Sequence, residues 1–209
     1  MNKFSVLNEL EVKILSKLNT PKKIQDYLDK LPINFELDGD TCYSPREVLR
    51  RQIAHCMEGA LLAAAALWYH GRRPMLLDLV TINKDDDHVV ALFEEDGYWG
   101  AISKTNHGVL RWRDPVYTSV HELAMSYFHE YFLDDGKKTL RTYSDPFDLR
   151  KIKDTSWLIS DEPLWHINNA LADSRHYEIL KPGQAKSLRL ASQIEIEAGK
   201  LTEWKKPKI

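Results

Sequence analysis

Residues 54–79 read AHCMEGALLAAAALWYHGRRPMLLDL, and residues 85–103 follow as DDDHVVALFEEDGYWGAIS. In the first stretch Cys56 enters a run of alanine and leucine that is apolar on nearly every side. A helix with so little polar face is one that the rest of the chain surrounds, and its small residues let a sheet approach closely. Gly71 is its stop signal. Residues 74–82, PMLLDLVTI, then read as a buried strand. His88 opens a second strand, and Asp96-Gly97 folds it back on a third that starts at Tyr98. Helix, strand and hairpin in this order bring a thiol and an imidazole together.

Upstream, Ser44-Pro45-Arg46-Glu47 is a strong helix start, with a capping serine, proline in the first helical position and a glutamate to complete a capping box. No glycine, proline or cap residue stands between Arg50 and His55, so local signals draw one continuous helix over residues 45–70. A functional Cys56 instead needs a turn near residues 51–55, which would expose it to the unsatisfied N–H groups of a helix start.

Residues 3–19 carry a helical apolar stripe, Thr20-Pro21 caps a short helix to Leu28, and Asp38-Gly39-Asp40 is a turn. Thr118 or Ser119 starts an amphipathic helix whose Tyr127, Phe128, Tyr131 and Phe132 read as core aromatics, stopped by Asp134-Asp135-Gly136. Residues 139–143 read as a short edge strand, Asp161-Glu162-Pro163 starts a helix to about Ala172, and residues 184–198 form a last helix. Without repeats, low-complexity tracts or linkers, residues 1–209 read as a single domain, with an N-terminal helical cap over 1–43 and a helix and strand extension over 107–209.

Composition narrows the class. The chain is 43% hydrophobic and 29% charged with a net charge of −2, which argues against nucleic acid or a membrane surface as partner. The N-terminus lacks an uninterrupted apolar segment, and the longest apolar run, residues 60–69, is about half of a membrane span. The two cysteines, Cys42 and Cys56, show neither disulfide nor metal-knuckle spacing, so the expected home is the reducing cytoplasm with both thiols free.

A thiol attacks carbonyl carbon as the thiolate, which an ordinary cysteine seldom is near neutrality. A helix N-terminus and a neighbouring imidazolium both lower that barrier. His88, at a strand end beside a loop, is the candidate base for Cys56 and the acid for the leaving group. Its ring needs an orienting partner. With Asp96-Gly97 as the turn, His88 faces Thr105; with Glu95-Asp96 as the turn, it faces Ser103. Asn106 is a further acceptor, reachable at a bulge or at the strand's end.

Taken together, Cys56 in HCMEGALLAAAALWYHGRRP, the strand MLLDLV, His88 in DDHVVALF and the Gly97-Tyr98-Trp99 hairpin resemble the transglutaminase-like superfamily, relatives of the papain-type thiol enzymes. The resemblance covers about residues 44–106. It implies an α+β fold, a central buried helix packed on an antiparallel sheet, here with flanking helices. It further implies a peptidase or amidohydrolase that passes amide or acyl substrates through a Cys56 thioester, with His88 as acid and base and Ser103 or Asn106 orienting the ring. The Cys56 N–H and one side-chain donor would hold the oxyanion, Gln52 being the nearest upstream residue. The implied partner is a peptide or protein amide, with no cofactor, and oligomeric state stays open. The family carries an aspartate a few residues past the tryptophan, whereas the position four beyond Trp99 is Ser103. That departure favours the rival reading, a domain of this fold that binds a peptide or protein without turnover.

The remaining residues have plainer readings. Cys42 is structural, the Asp85-Asp86-Asp87 run is a solvated turn, and His121 and His129 are surface residues. A metal site from His55, Cys56, Asp87 and His88 lacks a spaced ligand pair on one element, so no metal is expected. Arg111-Trp112-Arg113-Asp114 is either an exposed strand or loop edge, or a cleft wall that grips a carboxylate.

Overall fold

The computed structural model describes residues 3–207, so both extreme ends of the expected domain, 1–2 and 208–209, lie outside the described residues. The first half of the chain forms α1 (Glu9–Lys17), α2 (Pro21–Leu28), α3 (Pro45–Arg51), α4 (Cys56–Tyr69), β1 (Met75–Val80), β2 (His88–Glu95) and β3 (Tyr98–Ile102). The second half adds β4 (Arg113–Tyr117), α5 (Val120–Tyr127), β5 (Thr142–Ser144), β6 (Phe147–Asp148), α6 (Trp165–Ala172), β7 (His176–Glu178) and α7 (Gln193–Gly199). The fold is mixed helix and antiparallel sheet.

One sheet runs in the order β4-β3-β2-β1-β5-β7, with β6 also pairing β1. Alternation along the strands divides the core in two. Leu76, Ala91, Phe93 and Ile102 pack with α4, while Leu77, Leu79, Val90, Leu92 and Ala101 pack with Leu123, Ala124 and Tyr127 of α5. The helix α4 is buried from Met57 through Trp68. Its Gly59 is needed because a Cβ there would stand 2.4 Å from the Lys104 Cβ. Lys104 is itself buried and donates through Nζ to the carbonyls of Leu28, at 3.0 Å, and Leu31, clamping the C-terminal end of α2.

The expected continuous helix over residues 45–70 is broken. Ser44 caps α3 and Pro45 opens it, but Gln52 adopts a left-handed conformation at φ 57° and ends it. The cause is tertiary. Ala54 is drawn into a parallel bridge with Ile33, its N–H donating to Pro32 O at 3.2 Å and its carbonyl accepting the Asn34 N–H at 3.1 Å. The His55 N–H is taken by the buried Glu58 carboxylate at 2.9 Å, which restarts the helix with a capping box at His55. Backbone groups with these outside partners have no need of intrahelical ones. Glu47 does not complete a capping box; its carboxylate instead receives Arg50 and Arg51.

Other boundaries also shift. The stripe over residues 3–19 yields only α1, capped by Asn8 in a capping box with Glu11. The aromatic helix stops at Tyr127, a 3-10 turn follows at Phe128–Glu130, and Phe132 is only half-buried. The last helix over 184–198 is a 3-10 turn, Gln184–Ser187, and a separate α7. The residues after 106 form no mere extension, because β4, β5, β6 and β7 belong to the same sheet as β1 to β3. Accordingly β5 is flanked by β1 and β7 instead of lying at an edge. Among the described residues no helix is long and apolar enough to cross a membrane.

Candidate active site

The break at Gln52 makes Cys56 the first residue of α4, where helix N–H groups have no partners inside the helix. Cys56 is half-buried, at the end of an otherwise buried helix. The His55 ring at the cap position meets its sulfur at 3.9 Å, and His88, the first residue of β2, lines the same cleft as Cys56 and acts on the sulfur through its charge.

The ring of His88 is held in one tautomer. Ser103 Oγ donates its only proton to Leu110 O at 2.5 Å, so it meets His88 Nε2, 2.8 Å away, as an acceptor. Nε2 therefore carries a hydrogen, which leaves Nδ1 as the ring nitrogen available for proton exchange in the cleft that Cys56 also lines. Leu110 is positioned in turn by a left-handed backbone at φ 61° and by its N–H, which donates to Glu130 at 2.6 Å.

Ser103 occupies this place through an interruption of the ladder. The hairpin turn is Asp96-Gly97, both residues left-handed, with Glu95 opposite Tyr98. Continued regularly, that register would set Thr105 opposite His88, yet pairing stops at Ala91 with Ile102. Gln25 of α2 takes over as a surrogate strand, accepting the Ser103 N–H at 2.9 Å and donating to its carbonyl at 2.8 Å. The turn expected to select Thr105 thus coexists with Ser103 at the ring, and the Thr105 hydroxyl instead accepts the His107 N–H.

His55 plays a part that spacing did not disclose. Its Nε2 donates to Thr41 O at 2.9 Å and lies 3.4 Å from Glu58 and 3.6 Å from Glu36. Its Nδ1 faces both the Met57 N–H at 3.3 Å and the Cys56 sulfur at 3.9 Å. A neutral ring accepts the first and caps the helix; a charged ring donates to the second. The carboxylate of Glu58, fully buried, is satisfied by Asn34, Thr41 and the Tyr43 and His55 N–H groups, and so fixes the wall beside the sulfur.

These contacts set the charge state. Burial pushes the Cys56 thiol up, but the hydrogen bonds and charges of His55 and His88 outweigh it and bring it down to about 5. Burial pushes the His55 ring down, and its bond to Cys56, with the Cys56 and Glu58 charges, carries it up to about 9. Both shifts describe the same thiolate–imidazolium pair from its two sides. Cys42 is the internal contrast: buried and next to Glu58, it is pushed up to about 12.

No family model and no curated protein matches the chain. Its chemistry is therefore read from the site itself.

Cys56, His55 and His88 open into a cleft of about 880 Å³. Asp78, Asp85, Asp86, Asp87 and Glu36 give its lining an acidic character. Burial and then the Asp87 charge push the Asp78 carboxyl up to about 6, against the opposing pull of His176. The aspartate run is more than a solvated turn, since Asp87 accepts the Thr81 N–H at 2.7 Å and Asp85 accepts the Thr139 hydroxyl at 2.5 Å.

Two expected site residues are engaged in other contacts, Asn106 while still lining the cleft. The Asn106 amide exchanges hydrogen bonds with the Trp204 backbone, at 2.8 and 3.0 Å, and ties down the C-terminal segment instead of orienting His88. Gln52 is exposed and donates to Leu49 O and the Tyr27 hydroxyl, outside the cleft lining, because its own left-handed backbone turns it from α4. Arg113 is engaged by Glu130 at 2.6 Å and stacks on Tyr127, while Arg111 pairs with Glu203; neither lines the cleft. His121 and His129 are exposed.

Proposed function

We propose that the protein is a thiol enzyme of the transglutaminase-like type, acting on amide or acyl substrates. The observation that carries this reading is the broken helix, which sets Cys56 at a helix start in the cleft that His88 also lines, with His88 Nε2 anchored on Ser103. A half-buried cysteine thiolate and a tautomer-locked imidazole lining one cleft are the equipment of nucleophilic acyl transfer. The buried α4 against the antiparallel sheet supports a transglutaminase-like core.

In this reaction the Cys56 thiol passes its proton to His88 Nδ1, the resulting thiolate bonds to the carbonyl carbon and the carbonyl π pair moves onto oxygen. The tetrahedral adduct collapses as the C–N bond breaks, and the leaving amine takes a proton from His88 Nδ1. Water or a second amine then attacks the thioester, giving a proton to Nδ1 as the thiolate departs. Ser103 accepts the Nε2 hydrogen throughout and keeps the ring in plane. A hydroxyl leaves the imidazolium less stabilised than a carboxylate would, and His55 compensates at the sulfur by a second cationic contact.

The test is to incubate the protein with a peptide-amide library, read amine release by fluorescence, and locate the acyl adduct by mass spectrometry. Cys56 should carry the acyl group, and His88→Ala should abolish turnover. Retention of peptides without any adduct would establish the non-catalytic binding domain instead.

A further inference from the structure

The acyl-transfer reading leaves one need unmet, a side-chain donor for the oxyanion, because Gln52 lies outside the cleft. Among the described residues, five buried side-chain polar atoms have no hydrogen-bond partner, and only one of them, the Tyr131 hydroxyl, belongs to the wall that also holds Cys56 and His88. Tyr131 is 97% hidden by its surroundings, at 3% exposure. Its place is rigid: it follows the Phe128–Glu130 turn, and its carbonyl accepts the Thr139 N–H at 3.1 Å.

Buried hydroxyls are nearly always satisfied, so an unpartnered one on a residue of the cleft wall calls for a partner from outside the chain. We infer that Tyr131 is the second oxyanion donor, its O–H sharing with the Cys56 N–H the charge that forms on the substrate's carbonyl oxygen. This rests on the acyl-transfer reading and adds to it a residue that local pattern assigns to the core. A phenol suits the task. It is a donor of one proton in a site shielded from water, where such a bond counts for more than in bulk solvent. Burial, followed by the charge of Cys56, holds the phenol well above its ordinary range, so it stays protonated while the thiolate exists.

Two reactions of the full chain separate this role from others. Acylation by p-nitrophenyl acetate forms a tetrahedral oxyanion: the S–C bond is made, the C–O bond breaks and nitrophenolate leaves with the electron pair. Alkylation by iodoacetamide makes an S–C bond with loss of iodide and forms no oxyanion. Tyr131→Phe should slow acylation by about a hundredfold while leaving alkylation within about twofold. Because the lost oxygen has no partner in the protein, the variant should melt no lower than the parent. Equal acylation rates in parent and variant would overturn the assignment. Parallel slowing of both reactions would overturn it too, by showing that Tyr131 only shapes the thiolate or its access, and so would loss of the fold, which would mean that the hydroxyl serves the structure. Failure of the parent to acylate at Cys56 would instead bring down the acyl-transfer reading, and this assignment with it.

Discussion

The thiolate at Cys56 invites a measurement in which two effects oppose each other. With its thiol at about 5 in place of 9.0, Cys56 is about nine-tenths ionised near pH 6, where an ordinary thiol is about one-thousandth ionised, a gain of about 900-fold. Thiolate nucleophilicity toward disulfides falls with basicity along a Brønsted slope of about 0.45, so the same change costs about 60-fold. The gain wins near pH 6, by about fifteenfold. Near pH 9 the ordinary thiol is about half ionised, the gain shrinks to about twofold, and Cys56 becomes the slower thiol by about thirtyfold. A neutral dipyridyl disulfide reads this directly through thiopyridone absorbance, with peptide mapping to assign the cysteine. The rate should rise with a midpoint near 5 and stay flat through neutrality, while Cys42, buried and held at about 12, stays silent. His88→Ala should move the midpoint upward. So should His55→Asn, which keeps a capping oxygen for the helix start but removes the ring. A midpoint in the ordinary thiol range, or one that neither substitution moves, would refute the argument from the two imidazoles.

Three further outcomes follow from the same geometry. Ser103→Ala strands both His88 Nε2 and Leu110 O, and should cost about 1–3 kcal/mol of stability in urea unfolding. Ser103→Asp should unfold more easily than the alanine variant, since an ionised carboxylate has no proton for the Leu110 carbonyl 2.5 Å away; an unfolding midpoint at or above the alanine variant's would contradict the donation from Ser103 to Leu110. Gln52→Gly relieves the left-handed backbone, and should leave stability unchanged or raised by up to about 1 kcal/mol with acylation intact; a large loss of acylation would return Gln52 to the oxyanion site. Asp78 has its carboxyl raised from 3.8 to about 6 by burial and by Asp87, so its ionised form burdens the fold as pH rises through 6 and not below 3.8. Asp78→Asn should accordingly add about 1–3 kcal/mol above that range and nothing in strong acid, as denaturant titrations at the two pH values would show.

How legible each element was depends on where its decisive contacts lie. Thr20-Pro21, Ser44-Pro45 and Asp96-Gly97 work through atoms two or three residues away, and each turn or cap stands where the local pattern sets it. The all-round apolar character of α4 likewise foretells its burial. The hairpin register was only half legible, because Gln25 reaches across from α2 to end the ladder at Ile102 and bring up Ser103. Asn106 looked available to His88 until the Trp204 backbone, far along the chain, claimed its amide. Tyr131 reads as one more core aromatic, and nothing nearby in sequence says that its hydroxyl lacks a partner. His55 did carry a signal in its position directly before Cys56, although spacing arguments aimed at distant pairs pass over it.

The sequence by itself determined which groups are available: a thiol just before an apolar helical run, an imidazole opening a hairpin, and a hydroxyl at the far end of that hairpin. Only the tertiary structure decided that the thiol heads its helix at all. Local propensity favours an unbroken helix through Gln52, and what overrules it is the bridge from Ile33 to Ala54 together with the buried Glu58 carboxylate. The bridge joins residues some twenty positions apart, and the Glu58 carboxylate is fixed by Asn34, 24 positions away, so both exist only once the chain has folded.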